Sequence, residues 1–283
     1  MCIRDRFKVN SGLNIEATAL GKPNDPLVIL LHGGGQTRHA WGGTAEKLSE
    51  EGFYSIAIDL RGHGDSDWSE EGDYTIESHK DDLLSIIKQI GKPASLIGAS
   101  LGGMISLSAA GDKIFKELCS ALIMVDIGIY PNEEGSNEIL NFMGSGSKGF
   151  DSLEEASDAI SSFLPHREKP KDISGLKKNL RLKEDGRYYW HWDPRFIKSR
   201  NDSRSEFRQR QKEYAELVSI PTLLIRGALS NVVTQEEVDD FLDTINHAEF
   251  IEIEKAAHMI AGDRNDIFAN AAISFLMKTL NKK

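Results

Sequence analysis

The chain has 283 residues, of which 40% are hydrophobic and 8% aromatic, and a formal charge of −10. That length suits one large domain, or a core carrying one insertion, with enough apolar content for a sizeable buried core. The acidic balance argues against partners such as nucleic acid or an anionic membrane surface. Two cysteines, Cys2 and Cys119, cannot form a disulfide framework and favour a reducing, cytoplasmic setting.

Residues 1–6, Met-Cys-Ile-Arg-Asp-Arg, look foreign to the rest of the chain, because a common sequencing-adapter sequence encodes the first five. They are expected to be a non-native leader and are set aside from the fold. Phe7–Asn10 and Leu13–Leu20 then read as two short strands joined by a Ser11-Gly12 turn. Leu27–Leu31 is a continuous apolar run, as expected of a strand covered on both faces, and leads straight into His32-Gly33-Gly34-Gly35-Gln36. A helical stretch carries on to about Glu51, and a strand runs from Tyr54 to Leu60.

Next comes a helix from about Thr75 to Ile90, with apolar residues at helical spacing and Gly91-Lys92-Pro93 as its stop. Ala94 to Gly111 carries no charge over a length close to a membrane span. Its four glycines and four serines make strand, turn and core helix the better reading. Another buried strand spans Leu118 to Ile127. Strands alternating with helices at this spacing predict a mostly parallel sheet with helices on both faces.

The rhythm breaks over 131–212, a stretch with several helical segments and many charges, expected to be a mainly helical cap inserted after the sixth strand. It resumes with a strand at Pro221–Gly227, a helix near Thr234–Thr244, a strand at Glu249–Ile253 and a last helix from about Asp263 to Leu280. The expected core is therefore 7–130 with 213–283.

One stretch carries chemistry. In Gly98-Ala99-Ser100-Leu101-Gly102 a serine stands on a tight strand-to-helix turn, where neighbouring side chains would collide with the adjoining strand and helix. Glycines on either side let the hydroxyl stand clear above the free amides of the helix N-terminus. No cofactor is called for: neither the histidines nor the cysteines show metal-ligand spacing, and no Gly-Lys-Ser/Thr comes after the glycines at 33–35.

Together these motifs resemble the α/β-hydrolase family over essentially the whole chain after residue 6. Gly98–Gly102 matches its nucleophile elbow. Leu31-His32-Gly33-Gly34-Gly35 looks like its oxyanion loop, and Asp59-Leu60-Arg61-Gly62-His63-Gly64-Asp65-Ser66 is similar to its loop after the fourth strand. Ala257-His258 sits where its catalytic histidine is expected. The resemblance implies an eight-stranded, mostly parallel sheet and a serine hydrolase acting on an ester-like small molecule.

In that reading Ser100 is the nucleophile and His258 the base that accepts its proton. The backbone N–H groups of Leu101 and, by resemblance, Gly34 form the oxyanion hole. His32 and His63, inside loop motifs, suit structural hydrogen bonding. The acid departs from the family pattern. Asn231 stands where the usual aspartate is expected, and an amide orients a histidine without supplying charge. Asp126, at the end of the preceding strand, is the substitute that some family members use, and it keeps the order Ser100, Asp126, His258. Both positions stay open.

Carbon–carbon bond hydrolysis and cofactor-free perhydrolysis use the same machinery, and Asn231 keeps open a low-turnover ligand-binding member. From Pro165 to Lys212 fifteen Lys plus Arg face seven Asp plus Glu, which reads either as solvated helix faces or as a basic cap favouring anionic substrates. Trp41, Tyr189, Trp190 and Trp192 are the candidate substrate-binding aromatics, the last three serving equally as the cap's own small core.

Overall fold

The computed structural model describes residues 3–163, 169, 172–198, 204–230, 232–254 and 265–280. Eight strands form one sheet: β1 (Ile3–Lys8), β2 (Asn14–Leu20), β3 (Leu27–Leu31), β4 (Tyr54–Ile58), β5 (Ala94–Ala99), β6 (Cys119–Val125), β9 (Thr222–Gly227) and β10 (Glu249–Ile253). Their order across the sheet is β1-β2-β4-β3-β5-β6-β9-β10. The β1–β2 and β2–β4 pairs are antiparallel and every other pair is parallel.

Strand β3 lies at the centre and all five of its residues are buried. Leu27, Ile29 and Leu31 point to one face, where they meet α2 (Ile76–Ile90) and α3 (Leu101–Gly111); Val28 and Leu30 point to the other, toward α1 (Gly42–Glu50) and α8 (Asn265–Leu280). Side chains alternate along a strand, so a sheet covered on both faces needs an unbroken apolar run. Local signals set the helix ends. The Thr75 hydroxyl accepts the Ser78 N–H at 3.3 Å before α2, and Gly91 closes that helix with φ 79°. The uncharged stretch from Ala94 divides into β5, Ser100 and α3. Among the described residues no helix is long and apolar enough to cross a membrane.

Residues Ile3–Arg6, set aside on sequence grounds, extend β1. Their pairing with β2 is made by backbone, and Arg4 and Arg6 both reach the buried carboxylate of Glu16.

Between β6 and β9 lie α4 (Glu133–Gly144), α5 (Leu153–Phe163), a small hairpin of β7 (Leu180–Leu182) and β8 (Tyr188–Trp190), and α6 (Arg204–Leu217), with α7 (Gln235–Thr244) coming after β9. Met143, Phe150, Ala156, Leu180, Trp190 and Trp192 form a separate apolar cluster in this segment. The expected boundary at 212 falls inside α6. That helix packs on α3: Gln211 Nε2 donates to Ser108 Oγ at 2.9 Å, and Ala215 joins the main core. Its dense charges hid the face that does so.

Candidate active site

The parallel strands end on one edge of the sheet, and the connections leaving that edge converge there. β5 leads into Ser100, the residue before α3, with φ 47° and ψ −111°. Side chains rarely adopt this backbone, and here crowding enforces it. A Cβ at Gly98 would lie 2.2 Å from the Gly102 carbonyl oxygen, and one at Gly102 would lie 2.2 Å from that of Leu31. The elbow glycines are therefore a steric requirement of the packing of β3, β5 and α3. The Ser100 N–H donates to the Val125 carbonyl at 3.2 Å, tying the turn to the end of β6.

Asp126 comes directly after that same strand end. It is fully buried, with φ 50°; Ser100 and Asp126 are the two non-glycine residues with positive φ among the described residues. One carboxylate oxygen of Asp126 accepts the Gly227 N–H at 2.9 Å, and the other accepts the Ser230 hydroxyl at 2.6 Å. The Ser230 oxygen in turn accepts the N–H groups of Val232 and Val233. Asp126 thus sits against the loop leaving β9. Asn231 and His258 lie outside the described residues, as does the segment directly after Glu254.

The loop after β3 lies beside Ser100: a Cβ on Gly33 would be 3.5 Å from that of Ser100. Three neutral imidazoles brace this loop. His32 Nδ1–H donates to the Gly33 carbonyl at 2.8 Å while its Nε2 accepts the Leu60 N–H at 3.0 Å. His63 Nδ1–H donates to the Arg61 carbonyl at 3.1 Å and its Nε2 accepts the Gly35 N–H at 3.2 Å. His191, from the turn after β8, accepts the Gly64 N–H at 2.7 Å through Nδ1 and donates from Nε2 to the Gly35 carbonyl at 3.3 Å.

Each tautomer is set by its partners, since an amide N–H only donates and a carbonyl only accepts. Burial strips the charged form of water and brings His32 down to about 4 and His63 to about 3, with His191 well below its ordinary value. A ring held neutral with both nitrogens engaged is a brace. The Gly34 N–H has no acceptor among the described residues.

Residues between β6 and β9 pack against this loop. A Cβ on Gly34 would meet Met143 Sδ at 3.6 Å and Phe196 Cε1 at 3.8 Å, and one on Gly35 would meet Met143 Cγ and Trp192 Cζ3 at 3.4 Å. Met143 and Phe196 escaped the sequence reading because nothing local marks them; they reach the loop only through the tertiary fold. Of the expected aromatics, Trp192 touches the loop and stacks on Trp190 with centroids 4.8 Å apart. Trp190 is buried in the insertion's own cluster and donates to the Ser145 carbonyl. The Tyr189 hydroxyl donates to Asp185 on the hairpin. Trp41 belongs to neither group: it is buried on the opposite face of the sheet beside Phe268, so the structure does not bring it to Ser100.

Three of the segment's basic residues are tied into the fold. Arg181 binds Asp65 and the Gly64 carbonyl, Arg187 binds Asp151 and the Gly149 carbonyl, and Arg195 binds Asp193 and the carbonyls of Ser69 and Glu70. These three guanidinium groups serve as stitches. Cys119 is buried, and burial pushes its thiol up to about 12, so it is no competing nucleophile. Among the described residues no group of His, Cys, Asp and Glu is arranged to hold a metal ion.

A doubly covered parallel sheet with a strained serine at the tip of a central strand defines a class of enzyme scaffold, and sequence comparison places the chain within it. The profile of the alpha/beta hydrolase fold family matches residues 26–264. The chain belongs to that family and is a hydrolase. It is similar to the esterase Rv0045c of Mycobacterium tuberculosis, at 26% identity over 250 residues, covering 84% of this chain and 78% of that protein. It is also similar to protein phosphatase methylesterase 1 of Bos taurus, at 32% identity over 136 residues. That match spans 46% of this chain and about a third of the relative, 36%. Among solved structures, E-2-(acetamidomethylene)succinate hydrolase superposes with a TM-score of 0.85 over 98% of this chain and 99% of its own, at 20% identity, a likeness of fold.

Proposed function

We propose that the protein is a serine hydrolase that cleaves an ester-like small molecule through an acyl-enzyme at Ser100. The observation that carries this reading is the pairing of two strained residues, Ser100 and Asp126, on neighbouring strand ends at the same edge of the sheet. Strain at two non-glycine positions persists where the surrounding packing enforces it and function gains from it. The esterase relatives support the substrate class.

In this reading residues 131–212 form a cap over the core. The Ser100 oxygen attacks the carbonyl carbon as His258 takes its proton. The oxygen of the tetrahedral intermediate gathers negative charge and accepts hydrogen bonds from the amides of Gly34 and Leu101. Collapse breaks the ester bond, and His258 returns the proton to the leaving alkoxide. Water, deprotonated by His258, then attacks the acyl carbon, releases the acid and restores the serine. Asp126 holds the histidine and stabilises its imidazolium, with Asn231 as the alternative position.

A fluorophosphonate probe tests the nucleophile: one equivalent should label Ser100, and Ser100→Ala should abolish labelling and aryl-ester turnover. No reaction with either probe or esters overturns the assignment. For the acid, Asp126→Asn should lower kcat by about 10³-fold or more, whereas a rise in kcat on Asn231→Asp would favour the other position.

A further inference from the structure

We propose that His191, supplied by the inserted segment, is a positioning residue for the oxyanion loop. The role rests on the serine-hydrolase reading, in which the Gly34 amide receives the developing charge. Four polar groups flank that amide, and each is held. The Gly33 N–H donates to Gln36 Oε1 at 3.0 Å, and the Gly33 carbonyl accepts from His32. The Gly35 N–H donates to His63, and the Gly35 carbonyl accepts from His191. The Gly33 carbonyl shares a rigid peptide plane with the Gly34 N–H, and the Gly34 carbonyl shares one with the Gly35 N–H, so fixing these groups fixes the direction of the donor.

Three of the four holders come from the core. His191 is the exception, and its ring is the third in a row with His32 and His63, with centroids 5.2 and 5.9 Å apart. It is buried and bracketed between two core loops, accepting from Gly64 on one side and donating to Gly35 on the other. The next residues anchor it. The Asp193 N–H donates to the Gly62 carbonyl at 2.9 Å, and the Tyr74 hydroxyl donates to Asp193 Oδ2 at 2.5 Å. Gly35 has φ 74°, and the peptide plane that carries its carbonyl is held within the loop by one bond, from the Gln36 N–H to the Gly33 carbonyl at 3.1 Å, so His191 supplies the second hold on that plane. His191 makes the shape of the oxyanion loop depend on the seating of the inserted segment.

Two variants separate the two nitrogens. His191→Gln keeps a donor at the position of Nε2 and loses the acceptor toward Gly64; His191→Asn keeps the acceptor near Nδ1 and loses the donor toward Gly35. His191→Asn should lower kcat on an aryl ester about tenfold with KM within about twofold, a fraction of the loss from deleting an oxyanion donor. Amide hydrogen exchange in the peptide spanning residues 32–37 should quicken in parallel. His191→Gln should stay within about threefold of the parent in kcat and in exchange.

Unchanged kcat and exchange in both variants overturns the proposal, as does a rise in KM alone, which marks a substrate contact. Exchange raised throughout the chain in both variants also overturns it, because the role is then general stability. If the parent protein shows no Ser100-dependent turnover, the hydrolase reading fails, and exchange at 32–37 still decides whether His191 holds the loop.

Discussion

At Gly102 and Gly34 the same residue type answers to different demands. A methyl group at Gly102 would enter the Leu31 backbone, which cannot yield without parting β3 from α3. Gly102→Ala should destabilise the fold by about 3 kcal/mol or more, seen as a lower urea midpoint. A methyl at Gly34 would meet Met143 and Phe196 at ordinary contact distance. Gly34→Ala should leave the unfolding free energy within about 0.5 kcal/mol and shift KM among esters of different acyl size. The elbow was legible in the sequence because its glycines answer to a local steric rule. His191 was not, because its partners Gly35 and Gly64 lie more than a hundred residues away and only the fold brings them together. Trp41 was misread for a related reason: it comes soon after the glycine-rich loop in sequence, yet its ring turns to the opposite face of the sheet.

Among the elements, the central strands were plain because burial on both faces demands an unbroken apolar run, and that run also fixes their length. The beginning of β1 and the boundary within α6 were not. Edge pairing by backbone leaves little trace in composition, and a charged helix whose inward face carries Phe207, Gln211 and Ala215 gives a weak signal. The turn after β8 is an element through which the segment between β6 and β9 is seated on the sheet domain's loops. Asp193 is buried there, accepts from Tyr74 and pairs with Arg195, and its carboxyl is held below its ordinary range by these hydrogen bonds against the opposing pull of burial. Asp193→Ala leaves the Tyr74 hydroxyl and the Arg195 guanidinium without their shared acceptor. Limited proteolysis should then cut within 131–212 at least about tenfold faster than in the parent, the factor expected for losing one charged hydrogen bond. An unchanged cleavage rate would place the anchor elsewhere.

Considered as one folded molecule, the protein carries, among the described residues, four buried histidines with depressed proton affinity: His32, His63, His79 and His191. In each case loss of hydration is the first cause. The folded state keeps them neutral, whereas the unfolded chain takes up a proton at each near pH 6.5. Below that pH the unfolded state binds more protons, so stability is full above about 6.5 and is lost as pH falls toward 4 at His32 and 3 at His63. Urea unfolding should show a loss of about 1.4 kcal/mol per histidine between pH 7.5 and 5.5. His79 differs from the other three, since neither ring nitrogen has a hydrogen-bond partner. His79→Leu should therefore be neutral or stabilising at pH 7 and should flatten the slope by one histidine's share.

The seating of the inserted segment has a further consequence, in the history the sequence can undergo. On the core side its bonds end mostly on main-chain atoms: the Gly35 carbonyl, the Gly62 carbonyl, both polar groups of Gly64, and the carbonyls of Ser69 and Glu70. On the other side most come from side chains, Arg181, His191 and Arg195, the Asp193 N–H on the Gly62 carbonyl being the main-chain exception. Main-chain groups survive most substitutions, and side chains do not. Tolerance to mutation is therefore lopsided: an exposed position such as Glu70, which offers the segment only its carbonyl, is free to drift in identity while the loop keeps its path, whereas Gly62 and Gly64 have no room for a side chain and His63 holds Gly35. The few insertion residues that grip the loop are not free to drift.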